Sequence, residues 1–195
     1  MKITVAKAAG FCFGVRRAYK ILEGEIAKSN ETQRIVTLGN FVHNPIIVEG
    51  LRSRGVPPIT EEDLPVLAES ASESSPVTVI LRTHGVSKAL NEYLSERSKD
   101  NPFFKIVDCT CPCVSKIHRI VEAESAEDTE DKLIIIIGDP NHPEVKAIKS
   151  YSQCECKVYS SLQELQTLKT DKKHIVCVAQ TTQKLTECKL CQNYL

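Results

Sequence analysis

Runs of valine and isoleucine recur along this chain, and most of them are uninterrupted by polar positions. Uninterrupted apolar runs of four to seven residues are typical of strands buried on both faces of a parallel sheet, whereas alternation indicates a half-exposed strand. The runs that predict strands are "KITVAKA", "RIVTLGN", "PVTVILR", "FKIVDC", "LIIIIG", "CKVYS" and "HIVCVAQ". The pattern therefore favours parallel sheets with buried strands.

Helix-forming segments lie between these runs. They span residues 15–28, 45–54, 88–99, 114–126, 143–151 and 162–168. A strand followed by a helix, repeated along the chain, is the pattern of an α/β fold. The polar stretch "EAESAEDTEDK" and the turn "NPFF" are the two candidates for a domain boundary.

Charge and composition exclude several classes of function. The 195 residues include 25 basic and 25 acidic side chains, so the net charge is zero, and 5% are aromatic. Neither a nucleic acid nor an anionic membrane is favoured as a partner. No apolar run of about 18 residues predicts a membrane span, and the start lacks the pattern of a secretory signal. We therefore predict a cytoplasmic protein.

The nine cysteines need an explanation, because structural disulfides are rare in a reducing compartment. A metal site, redox chemistry and inert buried thiols remain open. Cys177 lies within an apolar run and is interpreted as a core thiol. "CKLC" near the end has the spacing of a zinc or redox pair, but no matching pair accompanies it.

Donor side chains are concentrated in the turns that follow the predicted strands. In parallel α/β sheets these turns share one edge, where ligands bind. The six turns are "GFCFG", "GNFVHNP", "RTHGVS", "DCTCPC", "GDPNHPE" and "QTTQ", with Cys12, His43, His84, Cys109, Cys111, Cys113, His142, Glu144, Gln180, Thr181 and Thr182. This concentration favours a ligand site over six unrelated structural roles.

The histidine turns indicate the charge of the ligand. Each of His43, His84 and His142 precedes a predicted helix, and free backbone N–H groups at a helix start attract anions. A compact anionic small molecule is therefore the predicted ligand, with Gln180 and Thr181 as neutral donors. Glu144 is either a surface carboxylate at a helix start or, in a closed pocket, a proton donor.

The thiols suggest a second component of the site. Iron–sulfur clusters need thiolates from separate loops, and Cys12 and Cys111 are the two credible ligands. Taken alone, Cys12 is also compatible with a core thiol. No third ligand is evident.

The order of "AGFCFGVRRA", "VHNP", "LRTHGVSK", "DCTCP", "VSKIH", "HPEV" and "QTT" resembles the LytB-type 4-hydroxy-3-methylbut-2-enyl diphosphate reductases. This resemblance covers essentially the whole chain. It implies an iron–sulfur oxidoreductase that removes a hydroxyl group from an allylic diphosphate. The products are isopentenyl and dimethylallyl diphosphate, in the last step of the methylerythritol phosphate pathway of isoprenoid biosynthesis. It also implies an electron donor such as ferredoxin or flavodoxin.

The resemblance implies a role for each matching residue. Cys12 and Cys111 match two of three ligands of a 4Fe-4S cluster, and Glu144 matches the acid that supplies a proton. His43, His84 and His142 match residues that contact the diphosphate, and Gln180 and Thr181 match residues that line the substrate pocket. Cys109 and Cys113, by contrast, depart from the usual motif and are interpreted as incidental or packing thiols.

The family fold implied is three similar α/β lobes around a central iron–sulfur site, of which this chain would carry two. We predict a first lobe over residues 1–100 and a second over 101–195, with strand 1–12 assignable to the first lobe or to the absent third. The third cysteine ligand would then lie outside this chain. The alternative is a truncated, non-catalytic remnant that binds phosphate or zinc.

Overall fold

The computed structural model describes residues 2–6, 9–42, 44–127 and 129–195, and it has two parallel β-sheets flanked by helices. The strands are β1 (Arg34–Leu38), β2 (Pro58–Ile59), β3 (Val77–Leu81), β4 (Phe104–Asp108), β5 (Lys132–Ile137), β6 (Glu155–Tyr159) and β7 (His174–Ala179). The helices are α1 (Phe13–Lys28), α2 (Pro45–Ser53), α3 (Leu64–Ser70), α4 (Lys88–Asp100), α5 (Pro112–Glu124), α6 (Pro143–Ser150), α7 (Leu162–Leu165) and α8 (Leu185–Tyr194). The predicted α/β class is confirmed.

The first sheet has the order β2-β1-β3-β4, and every neighbouring pair is parallel. Its central strand β3 is buried at all five positions, as its uninterrupted "VTVIL" predicts. On one face, Ala18 and Leu22 of α1 pack with Ile35 and Ile80. This packing fixes the start of α1 close to the carboxyl ends of the strands of the same sheet.

The second sheet has the order β6-β5-β7, again with parallel pairs. The five apolar residues of β5 that follow Lys132 are all buried. Alternate residues of β5 face two separate clusters, one containing Val145 and Ile148 of α6 and the other containing Cys191 of α8. The sheet is therefore covered by helices on both faces, as expected for parallel strands.

Contacts between Cα atoms divide the chain into two units. One consists of residues 1–83 and 101–111, and the other of residues 84–100 and 112–195. The strand β4 belongs to the first sheet, although it follows residue 100, and α4 belongs to the second unit. The contacts thus divide the chain differently from the predicted lobes 1–100 and 101–195, which stay a prediction, as does the third lobe. No helix of the described part of the chain is long and apolar enough to cross a membrane.

The predicted strand "KITVAKA" is wrong over residues 2–6, which form no strand, while Lys7 and Ala8 lie outside the described residues. Ile3 and Val5 are 74% and 76% exposed, so their side chains bury little apolar surface. A strand needs a hydrogen-bonded neighbour, and the described residues supply none here. Local β-propensity alone therefore does not form this strand.

The start of α2 provides a measure of local stability. The Asn44 side chain accepts hydrogen bonds from the N–H groups of Ile46 (3.0 Å) and Ile47 (3.4 Å), which no helical carbonyl can satisfy. We expect Asn44→Ala to lower the free energy of unfolding by about 1 kcal/mol in urea titrations. Asn91→Ala on the exposed surface of α4 is the control, because alanine there replaces a weaker helix former. Equal unfolding midpoints for the two variants would contradict the capping role.

We predict that ionisation of the Cys156 thiol lowers the free energy of unfolding at alkaline pH. Burial raises its pKa in the folded chain to about 11, whereas a thiol in an unfolded chain ionises near pH 8.5. The folded state therefore retains a proton that the unfolded state loses, and the free energy of unfolding falls as pH rises from about 8.5 to about 11. Urea unfolding of Cys156→Ala should show a shallower pH dependence than the wild type. Val158→Ala on the same strand should lower stability without changing that dependence.

Candidate functional site

The structure places Cys111 against the helix that begins after Cys12. Cys12 is the exposed N-cap residue of α1, and its side chain makes no capping hydrogen bond. Cys111 follows β4 and is half-buried. A Cβ atom built on Gly14, in the first turn of α1, would lie only 2.5 Å from the Cys111 Sγ. Two cysteines that are distant in the sequence thus lie at the start of one helix, Cys12 as its N-cap residue and Cys111 packed against Gly14 of its first turn.

Hydrogen bonds from three directions hold the backbone around Cys111. The Cys111 N–H donates to the Thr83 carbonyl (2.9 Å), and Arg17 Nη1 donates to the Thr110 carbonyl (3.3 Å). The Thr110 N–H donates to Asp108 Oδ1 (2.8 Å) at the end of β4. These contacts leave little freedom for the Cys111 backbone to move away from α1.

Two of the four remaining thiols of "CTCPC" and "CKLC" are buried, whereas Cys188 is half-buried and Cys113 is exposed, so Cys113 is not a packing thiol. Cys109 is fully buried, and burial raises its pKa to about 12. Its protonated thiol donates to the Ala18 carbonyl (3.8 Å), consistent with a packing role. Cys191 is also fully buried, and burial raises its pKa above the ordinary thiol value. Both side chains pack in the hydrophobic clusters beside their sheets, so both residues are interpreted as core thiols.

Two predicted histidines are in ring contact. The His84 and His142 ring centroids are 5.3 Å apart, and the rings meet edge to face at 85°. His142 also caps α6, because its Nδ1 accepts the Glu144 N–H at 3.1 Å. The Nδ1 lone pair is thus engaged, and the neutral ring carries its hydrogen on Nε2. Nε2 is therefore the donor nitrogen of the neutral His142 ring. His43 lies outside the described residues.

Glu144 is the most constrained of the predicted site residues. It is 1% exposed, in the first turn of α6. Its Oε1 accepts the Thr181 N–H (2.6 Å), and its Oε2 lies 2.9 Å from Thr181 Oγ1. Because β5 and β7 are neighbouring parallel strands, the turns after them meet at one edge of the second sheet. The carboxyl group is therefore a buried, oriented group rather than a surface charge.

Gln180 is engaged within the protein at both ends of its amide. Its Oε1 accepts the Asp139 N–H (3.0 Å), and its Nε2 donates to Thr182 Oγ1 (2.7 Å). Gly138 makes room for this arrangement, since a Cβ there would lie 2.9 Å from Gln180 Oε1. The Gln180 side chain thus ties the turn after β5 to the turn after β7. Its predicted role in lining a substrate pocket stays a prediction.

Sequence reasoning missed the glycines that create these contacts. The helix was predicted to begin after Gly14, but α1 begins at Phe13 and includes it. A helix-disfavouring glycine two positions after a candidate ligand was the available signal. Gly138, directly after an apolar strand, carried a similar signal of close approach. Arg17 and Asp108 had no signal, because their partners are set by tertiary structure.

Comparisons with known proteins give the family. The family model "LytB protein" matches residues 3–195. The chain is 37% identical over 182 residues to the 4-hydroxy-3-methylbut-2-enyl diphosphate reductase of Caldanaerobacter subterraneus subsp. tengcongensis, with 93% of this chain and 58% of the relative covered. It is 39% identical over 199 residues to the reductase of the same name from Nautilia profundicola, with 100% of this chain and 63% of the relative covered.

Solved structures agree in fold. One is the (E)-4-hydroxy-3-methyl-but-2-enyl diphosphate reductase described as the terminal enzyme of the non-mevalonate pathway, with a TM-score of 0.72, 31% identity, and 98% of this chain and 62% of that chain covered. Another is the E-1-hydroxy-2-methyl-but-2-enyl-4-diphosphate reductase from Plasmodium falciparum, with a TM-score of 0.74, 25% identity, and 96% and 54% covered. The chain therefore spans about six tenths of the length of the curated relatives it matches.

Proposed function

Because this chain belongs to the LytB protein family, we propose that it takes part in the reductive dehydroxylation of (E)-4-hydroxy-3-methylbut-2-enyl diphosphate. The reaction breaks the allylic C–O bond. It consumes two electrons and two protons, of which one leaves in water with the hydroxyl oxygen and the other is added to carbon. The products are isopentenyl and dimethylallyl diphosphate. The observation that carries the proposal is the buried Glu144 carboxyl group, held by Thr181 beside the paired histidines.

The histidines are proposed to bind the diphosphate. In the neutral ring of His142, Nε2–H is a donor suited to a phosphate oxygen, while the Nδ1 acceptor is used by the helix. His84, in ring contact with His142, would act on the same anionic group, as would His43, which the sequence alone assigns here. Thr181 would line the edge of this substrate pocket as a neutral hydrogen-bond donor. This set supplies donors without a large net charge, which fits the neutral chain.

Glu144 is proposed to supply a proton. Its Oε1 accepts the Thr181 N–H, which can only donate, so a proton carried by the carboxyl group would lie on Oε2. At 2.9 Å from Oε2, the Thr181 hydroxyl can donate to the carboxylate or accept from the carboxylic acid. The hydrogen bond between Thr181 Oγ1 and Glu144 Oε2 is therefore present in both protonation states of the carboxyl group. The Thr181 hydroxyl donates in one state and accepts in the other. A positioned acid of this kind typically contributes about 10²- to 10⁴-fold to a rate.

A 4Fe-4S cluster is the proposed cofactor, and the residues present fit part of its ligand set. Cys12 is the N-cap residue of α1, and Gly14 in the first turn of this helix provides the space for the Cys111 sulfur. Among residues 2–6, 9–42, 44–127 and 129–195, no group of three potential metal ligands is assembled. When bound, the cluster would supply electrons and a Lewis-acidic iron. A ferredoxin or flavodoxin as electron donor, a third ligand outside this chain and a cytoplasmic location also belong to the proposal.

The alternative, a non-catalytic remnant that binds zinc, is not favoured. It needs thiolates from "CTCPC" and "CKLC", but each motif contains a fully buried thiol whose pKa is raised by burial. Cys109 and Cys191 therefore retain their protons near neutral pH. The thiols that remain are Cys111 and Cys113 in one motif and Cys188 in the other. Neither motif then supplies the donor number of a structural zinc site.

An anaerobic assay tests the proposed function. The natural protein that carries this sequence would be purified without oxygen, analysed for iron, sulfide and zinc, and incubated with the hydroxylated diphosphate and a chemical reductant. We expect iron and sulfide in the protein and formation of both isomeric products. Protein that contains iron and sulfide but leaves the substrate unchanged would contradict the proposal, and one zinc without iron would support the remnant.

A further inference from the structure

Gly14 is buried in the first turn of α1, where glycine is a poor helix former. Its φ is not in the left-handed region, so the backbone conformation does not require glycine. Glycine is required here because the neighbouring Cys111 side chain leaves no room for a Cβ atom. A Cβ at this position would lie 2.5 Å from the Cys111 Sγ and 3.2 Å from the Cys111 Cβ, far inside van der Waals contact. The Cys111 side chain thus occupies the volume that any other residue would fill.

Neither the Cys111 backbone nor helix α1 can easily move to make room for a methyl group on Gly14. The Cys111 backbone is held by the Thr83 carbonyl, and the neighbouring Thr110 carbonyl is held by Arg17 of α1 itself. On the helix side, Ala18 is fully buried in the core of the first sheet. A methyl group on Gly14 would therefore displace the Cys111 thiol.

We propose that Gly14 is a positioning residue that places the thiol of Cys111 against the helix turn capped by Cys12, so that the two cysteines act as one dithiol site for a thiophilic centre. The identity of that centre as cluster iron rests on the proposed function. The spacing of the thiols is a property of this chain and can be tested without a cluster.

The test uses the chain in its reduced, metal-free form with dibromobimane, which becomes fluorescent when it bridges two thiols. Peptide mapping then identifies the Cys12–Cys111 bridge among the products of the other cysteines. We expect Gly14→Ala to reduce this bridge at least about tenfold, because displacing a reacting group by about an ångström costs up to about 10²-fold in rate. Gly24→Ala is the matched control in the same helix, since its Cβ meets nothing within 4 Å. It should bridge like the wild type.

A double-mutant cycle distinguishes an effect of Gly14→Ala on the Cys111 thiol from a general loss of stability. Gly14→Ala should lower the urea midpoint in the presence of the Cys111 sulfur, and less so in a Cys111→Ala background, where the 2.5 Å contact is absent. If Gly14→Ala alone fails to fold, recovery of folding in the double variant supports the proposal, and continued failure overturns it. Bridging by Gly14→Ala at the rate of Gly24→Ala also overturns it. Bridging that depends on Gly14 in a protein without reductase activity would reject the proposed function and retain the positioning role.

Discussion

Replacing Glu144 by glutamine is expected to lower turnover of the hydroxylated diphosphate by about 10²- to 10⁴-fold, while substrate binding stays nearly unchanged. Glutamine has the same shape as glutamate. Its Oε1 can still accept the Thr181 N–H, and its Nε2 can donate to the Thr181 hydroxyl, so both contacts survive. What is lost is the titrating proton on the second oxygen. Anaerobic single-turnover kinetics with a parallel binding measurement would separate the two effects.

Glu164→Gln provides the control for this prediction. Glu164 also lies in the first turn of a helix of the second unit, but it is exposed, and it accepts the Ser160 N–H at 2.7 Å. Its replacement should leave turnover intact. Glu144→Ala is a useful third variant, because it leaves the Thr181 N–H without its acceptor and should cost about 1–3 kcal/mol of stability. Equal damage to binding and turnover in Glu144→Gln would indicate a structural role for the carboxyl group.

Cys12→Ser is expected to abolish stable cluster binding and, with it, turnover. Serine retains the N-cap geometry, for which it is better suited than cysteine, so α1 should remain folded. A serine hydroxyl is far less acidic than a thiol and is therefore a much poorer ligand to cluster iron than a thiolate. Iron and sulfide analysis and visible absorbance after anaerobic reconstitution of the natural protein would measure the loss directly.

Cys177→Ser is the control for the Cys12 prediction. Cys177 lies in β7, outside the strand-end turns, and its side chain is exposed, so its interpretation as a core thiol is wrong. Its place within a strand keeps it away from the turns that carry the candidate ligands. This variant should reconstitute like the wild type. Undiminished iron and sulfide in Cys12→Ser would reject Cys12 as a ligand, whatever its effect on activity.

The hydrophobic pattern was sufficient to predict those strands whose neighbours in the sheet are also apolar runs. The uninterrupted "VTVIL" and "LIIII" became the central strands β3 and β5, because only a position between two neighbours buries both faces. The same reasoning failed at residues 2–6, where propensity is high but the described chain offers no neighbour. It also passed over α3, although Leu64, Leu67 and Ala68 have helical spacing and Pro65 marks a helix start.

The site was predictable only to the level of strand ends. Sequence reasoning placed Glu144 and Thr181 in turns at one edge, but their hydrogen bonds depend on β5 and β7 being neighbours, and sheet order is not encoded in local pattern. Likewise, Cys12 and Cys111 were assigned together from chemistry and resemblance. The close approach of Gly14 to the Cys111 side chain emerged only in three dimensions. Tertiary contacts between distant residues supplied what periodicity could not.

The two hydrogen bonds between Glu144 and Thr181 mean that the Glu144 side chain loses its rotational freedom when the chain folds. A free glutamate side chain gives up about 1.5–2 kcal/mol of conformational entropy when it is ordered. Here contacts within the protein already orient the carboxyl group, which is 1% exposed and has both oxygens engaged by Thr181. That entropic cost falls on folding rather than on catalysis, so a bound substrate would meet an acid that needs no further ordering.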